Sequence, residues 1–85
     1  MNETTIKIYQ HLRSKAYFSP FNNQIVLPTI KQTKEALDLK IEQVEDAYQD
    51  LLEYGIIEQI SEYQFSTGLQ FNIPDKLKNQ MRLGY

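Results

Sequence analysis

Apolar positions first recur along the chain with a helical period. Ile6, Tyr9, Leu12 and Ala16 form one stripe, which predicts a helix from about Glu3 to Ala16 with Thr4 or Thr5 as its cap. Lys7, Arg13 and Lys15 lie mostly off that stripe. Tyr17-Phe-Ser-Pro-Phe-Asn-Asn23 breaks the pattern and reads as a loop, with Pro20 and the Asn pair as turn formers. Gln24-Ile-Val-Leu27 is a short strand candidate. Thr29-Ile-Lys-Gln32 fits a capping box and opens a second helix over about Ile30 to Leu37. Asp38-Leu39-Lys40 is a tight connection. Ile41, Val44, Ala47, Tyr48, Leu51 and Leu52 then mark the buried face of a third helix, which runs from about Ile41 to Tyr54 and stops at Gly55.

The period then changes from helical to alternating. Ile56–Ile60 and Tyr63–Thr67 read as two strands joined at Ser61-Glu62, and Leu69, Phe71 and Ile73 alternate in a way that would extend the second strand. Pro74-Asp75 starts a short last helix with Leu77 and Met81 on one side. Helix, short strand, helix, tight turn, helix, hairpin is the order of a winged helix-turn-helix, an α+β fold with three helices and a small hairpin wing. The expected organisation is one such domain over residues 1–74, followed by a tail or short helix over 75–85.

Three segments carry residues that are similar to those of a known family. Leu27-Pro28-Thr29-Ile30 resembles the Leu-Pro-Ser/Thr lead-in to the second helix of GntR-type regulators. Ala36-Leu37-Asp38-Leu39 is similar to their Ala-X-Leu-Gly-Val turn, and Ala47 to Ile57 resembles the close of their third helix and the opening of the wing. The resemblance covers about Ile6 to Thr67 and implies the N-terminal DNA-binding module of that family. The chain departs from the family where DNA would be met. Lys40 stands in place of a Ser, the exposed third-helix positions are mainly acidic, and the wing turn is a short, acidic Ser61-Glu62.

Charge sharpens this departure. The net charge of −2 conceals a segregation along the chain. Residues 1–40 hold six Lys/Arg against three Asp/Glu, residues 41–75 hold eight Asp/Glu and no Lys or Arg, and residues 76–85 hold three basic groups and no acidic one. Duplex affinity depends on neutralising phosphates, so Glu42, Glu45, Asp46, Gln49, Asp50 and Glu53 make a poor recognition surface. Three readings stay open for them: a solvated face, a docking face for a basic protein partner, or use in the major groove.

The cations that could meet a nucleic acid are Arg13 and Lys15 at the end of the first helix, Lys31 and Lys34 on the second, and Lys40 at its exit. Lys76, Lys78 and Arg82 lie in the tail. Tyr17, Phe18 and Phe21 cluster beside Arg13 and Lys15, and Tyr63 sits at the wing, whereas Tyr9, Tyr48, Phe65 and Phe71 read as core. Aromatic rings interleaved with cations suit the stacked bases of a single strand. The alternatives are that the Tyr17–Phe21 loop only covers the core and that the lysines are scattered.

Other chemistry is narrowed by composition. Cysteine is absent, which excludes disulfides and thiolate metal sites, and His11 is the one histidine. There is no Ser/His/Asp or Cys/His arrangement and no Gly-rich phosphate loop, so neither an enzyme nor a cofactor is expected. No apolar run approaches the roughly 18 residues of a membrane span, and Met1–Lys15 lacks a signal-peptide pattern, so a cytoplasmic protein is expected. The bias toward Ile, Lys, Asn, Gln, Glu and Tyr suggests an AT-rich bacterial genome. The leading functional expectation is a nucleic-acid-binding accessory protein that favours single-stranded DNA and works with a larger replication or mobile-element protein. The others are an operator-binding regulator and a protein-interaction module docking through the third helix. The oligomeric state stays open.

Overall fold

The first helix, α1 (Glu3–Lys15), starts one residue beyond an Asn, and Asn2 caps it by accepting the Thr5 N–H at 2.8 Å. The predicted caps, Thr4 and Thr5, are inside the helix instead, because Asn2 already satisfies the free N–H of the first turn. The buried stripe is also rotated from the predicted one. Thr5, Ile8 and Leu12 face inward while Ile6 is 41% exposed, so a buried threonine stands where an apolar residue was expected. The chain then enters strand β1 (Tyr17–Ser19), which corrects the expectation of a plain loop. It turns at Asn23 (φ 51°) and returns as β2 (Gln24–Val26), giving an antiparallel hairpin with Tyr17 opposite Val26.

Helix α2 (Ile30–Leu37) has the capping box expected of Thr29 and Gln32, with bonds of 3.1 and 2.9 Å. It ends at Asp38, which takes the left-handed conformation (φ 52°) and forces the tight turn into the next helix. Helix α3 (Ile41–Glu53) buries Val44, Ala47, Tyr48 and Leu51. Ile41, expected on that face, is 37% exposed because it opens the helix at its free end. Gly55 (φ 71°) closes α3 with two bonds, from its own N–H to Leu52 O (3.1 Å) and from Ile56 N–H to Leu51 O (2.9 Å).

Strands β3 (Ile57–Gln59) and β4 (Phe65–Thr67) form a second antiparallel hairpin, with Ile57 opposite Thr67. The expected extension of β4 through Leu69, Phe71 and Ile73 does not occur. At Gly68 the backbone instead turns toward Gly55, donating to Ile56 O at 2.8 Å, and Gln70 N–H donates to Gly55 O at 3.0 Å. A Cβ at Gly68 would collide with the Gly55 carbonyl, so this approach requires glycine. Leu69 is left fully exposed, whereas Phe71 is buried and packs edge-on against Tyr9 with ring centroids 5.4 Å apart. Helix α4 (Asp75–Leu83) follows, and its Leu77 enters the core.

In this computed structural model residues 1–83 are described, with side chains through Met81; Arg82 as a candidate cation lies outside the described side chains. Among them the chain forms a small α+β domain of four helices and two small antiparallel hairpins. The hairpins meet through an isolated bridge between Leu27 and Phe65, where Leu27 N–H donates to Phe65 O at 3.0 Å, and the Ser66 hydroxyl donates to the Ile25 carbonyl. The short strand before α2 therefore pairs mainly with β1 and only touches the second hairpin. No helix among the described residues is long and apolar enough to cross a membrane.

Candidate nucleic-acid interface

Four of the candidate residues, Lys15, Tyr17, Lys31 and Tyr63, lie around the first turn of α2. The capping box fixes that turn locally, and Tyr48 fixes it to the core from α3. Its buried hydroxyl donates to the Pro28 carbonyl at 2.7 Å and pairs with the Thr33 hydroxyl at 2.8 Å, with the Thr29 carbonyl at 3.2 Å. Burial pushes the Tyr48 pKa up to about 12, outweighing the opposite effect of the Thr33 hydrogen bond. The ring also meets Phe65 of β4 edge-on, at 4.9 Å between centroids. One side chain thus ties α2, α3 and the second hairpin together, which holds the groups around that turn in fixed relation.

A depression lies on each side of this turn. On one side, about 290 Å³ of space is lined by His11, Lys15, Tyr17, Pro28, Gln32 and Ala36. On the other, about 220 Å³ is lined by Thr29, Ile30, Lys31, Glu62, Tyr63 and Phe65. Each contains one lysine and one exposed tyrosine: Tyr17 is 57% exposed and Tyr63 71%. Residues 28–32 form the shared wall. Pairing with Val26 holds Tyr17 on β1, and the turn between β3 and β4 carries Tyr63. His11 has its pKa lowered, first by burial and then by the charge of Lys15, both of which favour the neutral imidazole.

The sequence candidates divide accordingly. Lys15 joins Tyr17, and Lys31 joins Tyr63. Phe18 is half-buried and packs against the core. Arg13 is half-buried on the far side of α1, where its Nε donates to the Asn72 carbonyl at 2.7 Å, beside the Asn72 N–H donating to the Tyr9 hydroxyl at 3.0 Å. Lys34 is half-buried and lines neither depression; Lys40 is exposed at the start of α3. His11, Gln32 and Glu62 belong to the surface although sequence reasoning did not select them. The i,i+4 spacing of His11 and Lys15 was the available signal for His11, but the partner element, α2, is remote in sequence.

The acidic candidates lie on α3. Glu42, Glu45, Asp46, Gln49 and Glu53 are exposed. Gln49 donates to the Glu53 carboxylate at 3.4 Å. Asp50 differs: it is half-buried and accepts from the Thr5 hydroxyl at 3.4 Å, so it serves the packing of α1 on α3. The α3 face thus presents carboxylates and amides to solvent, while the α2 turn presents rings, ammonium groups and small depressions, with the single carboxylate of Glu62 on one side. No protein-family model matches the chain, and no curated protein or solved structure matches it significantly.

Proposed function

We propose that the chain is a winged helix-turn-helix domain that binds single-stranded nucleic acid across the first turn of α2. In this reading α1, α2 and α3 are the three helices, and the β3–β4 hairpin is the wing. The observation that carries the reading is the placement of two exposed tyrosines, each beside a lysine, on opposite sides of one rigid turn. Rings of this kind offer stacking surfaces that accept any base, and the ammonium groups of Lys15 and Lys31 attract the intervening phosphates. A duplex keeps its bases stacked inside and gains nothing from the rings.

The likeness of Leu27-Pro28-Thr29-Ile30 to the GntR-type lead-in supports the winged-helix assignment, since these residues lead into α2 and Thr29 is its N-cap. An operator-binding role for α3 is disfavoured by its exposed carboxylates, which would repel the phosphate backbone. The same carboxylates suit a basic surface on a larger protein, such as a replication or mobile-element protein, that this domain would accompany.

Fluorescence anisotropy on a labelled oligonucleotide, single-stranded and as duplex, at two salt concentrations tests the proposal. Tighter, salt-sensitive binding to the single strand is expected, weakened by Lys15→Ala with Lys31→Ala. Equal or tighter binding to the duplex would overturn it.

A further inference from the structure

Tyr17 lines a second cavity as well. Between α1 and α4, a cleft of about 410 Å³ is bounded by Gln10, Arg13, Ser14, Ala16 and Tyr17 on one wall and Pro74, Lys76, Leu77 and Gln80 on the other. Its lining includes two cations and no carboxylate. Asp75, the chain neighbour of Lys76, is exposed and does not line it. Gln10 and Gln80 add neutral amides to the lining. Arg13 is held in place by its bond to the Asn72 carbonyl, and Leu77 roots α4 in the core, so the walls are fixed relative to each other.

The tyrosine therefore stands at a junction. It lines both the depression against α2 and this basic cleft. We infer that the α1–α4 cleft is a further nucleotide subsite of the same single-strand track, with a phosphate between Arg13 and Lys76 and Tyr17 as the stacking ring at its mouth. The inference rests on the proposed single-strand reading and extends the track from the β3–β4 turn, across α2 and past β1, to α4. It assigns binding to a helix that lies outside the segment resembling GntR-type modules.

The test is anisotropy with labelled oligo(dT) strands from about 4 to about 12 nucleotides, within the site sizes of single-strand binders. Wild-type affinity is expected to rise with length and then level off. Lys76→Ala, at an exposed position, is expected to weaken long strands several-fold, leave the shortest unchanged, and make the salt slope shallower by about 0.7 for the lost phosphate contact. Gln80→Ala is expected to have a smaller effect with the same length dependence. Unchanged long-strand binding by Lys76→Ala, alongside weaker binding by Lys31→Ala, would overturn the α4 subsite and leave the α2 track standing. Lys76-dependent binding of free dTMP without any dependence on strand length would also overturn it, as a mononucleotide site. Wild-type protein that binds no strand at any length would remove both readings.

Discussion

Helices α2 and α3 are neighbours of similar construction with different outer surfaces. Each presents apolar residues to the core and polar ones to solvent, and each is opened by a Gln that accepts the N-cap N–H: Gln32 for Thr29, Gln43 for Lys40. The outside of α2 exposes Lys31, Gln32 and Glu35, and its first turn adjoins Lys15, Tyr17, Tyr63 and Glu62. The outside of α3 exposes Glu42, Glu45, Asp46 and Glu53. Helix-forming requirements explain the inner stripes of both but not the contrast outside. On α3 the carboxylates even work against the helix: Glu42 with Asp46, and Asp46 with Asp50, are like-charged i,i+4 pairs that each cost a few tenths of a kcal/mol. Charge separated in this way gives the domain two electrostatically distinct faces.

The contrast can be broken most directly at the rings. Tyr17→Ala and Tyr63→Ala should each weaken single-strand binding by about 1–3 kcal/mol, the worth of one stacked base. Anisotropy titrations would check this, with thermal melts showing that these exposed residues leave the fold intact. Loss from neither variant would remove the stacking role.

Next in size is the joint between the two helices. Tyr48→Phe leaves the Pro28 carbonyl and the Thr33 hydroxyl without their partner, and should lower stability by about 1–3 kcal/mol. The sign of its pH effect follows from the raised pKa. The unfolded chain ionises Tyr48 near pH 10, whereas the folded state holds the proton to about 12. The contribution is therefore complete below pH 10 and is lost as pH rises from about 10 to about 12. Urea unfolding across alkaline pH should show a flatter decline for Tyr48→Phe than for wild type.

Smaller effects sharpen the acidic side. Asp46→Lys removes both repulsive pairs and should raise stability by a few tenths of a kcal/mol, visible in urea unfolding. It should also raise duplex binding more than single-strand binding, if α3 is what keeps duplex away. The smallest effect is expected at His11, whose lowered pKa means that the unfolded chain takes up the proton first. Stability should slip as pH falls through the ordinary histidine range near 6.5, and His11→Gln should remove that part of the slope in acid titrations of unfolding.

Local requirements made much of the architecture legible in advance. The α2 capping box, the α3 stripe at 44, 47, 48 and 51, the Gly55 stop and a last helix with Leu77 inward all follow from residue types at fixed short spacing. The structure departs from these local patterns where a distant partner decides. Thr5 is buried because α3 covers it, and this rotates the α1 stripe away from Ile6. Tyr17 and Phe18 became a strand because β2 supplied their hydrogen bonds. β4 ended at Thr67 because Gly68 could approach Gly55, a contact between residues 13 positions apart.

The candidate interface divides in the same way. Its ingredients were readable in the sequence, as cations beside aromatics in one half and carboxylates in the other. Their grouping was not, because Lys15 with Tyr17 and Lys31 with Tyr63 meet only when α1, α2 and the β3–β4 turn are packed together. The sequence by itself determined the helices, their caps and the charge carried by each segment, since these depend on neighbours within a turn or two of chain. Tertiary structure alone decided which side of each element became surface, and which cations and rings share a cavity, because burial and proximity are set by packing between segments far apart in the chain.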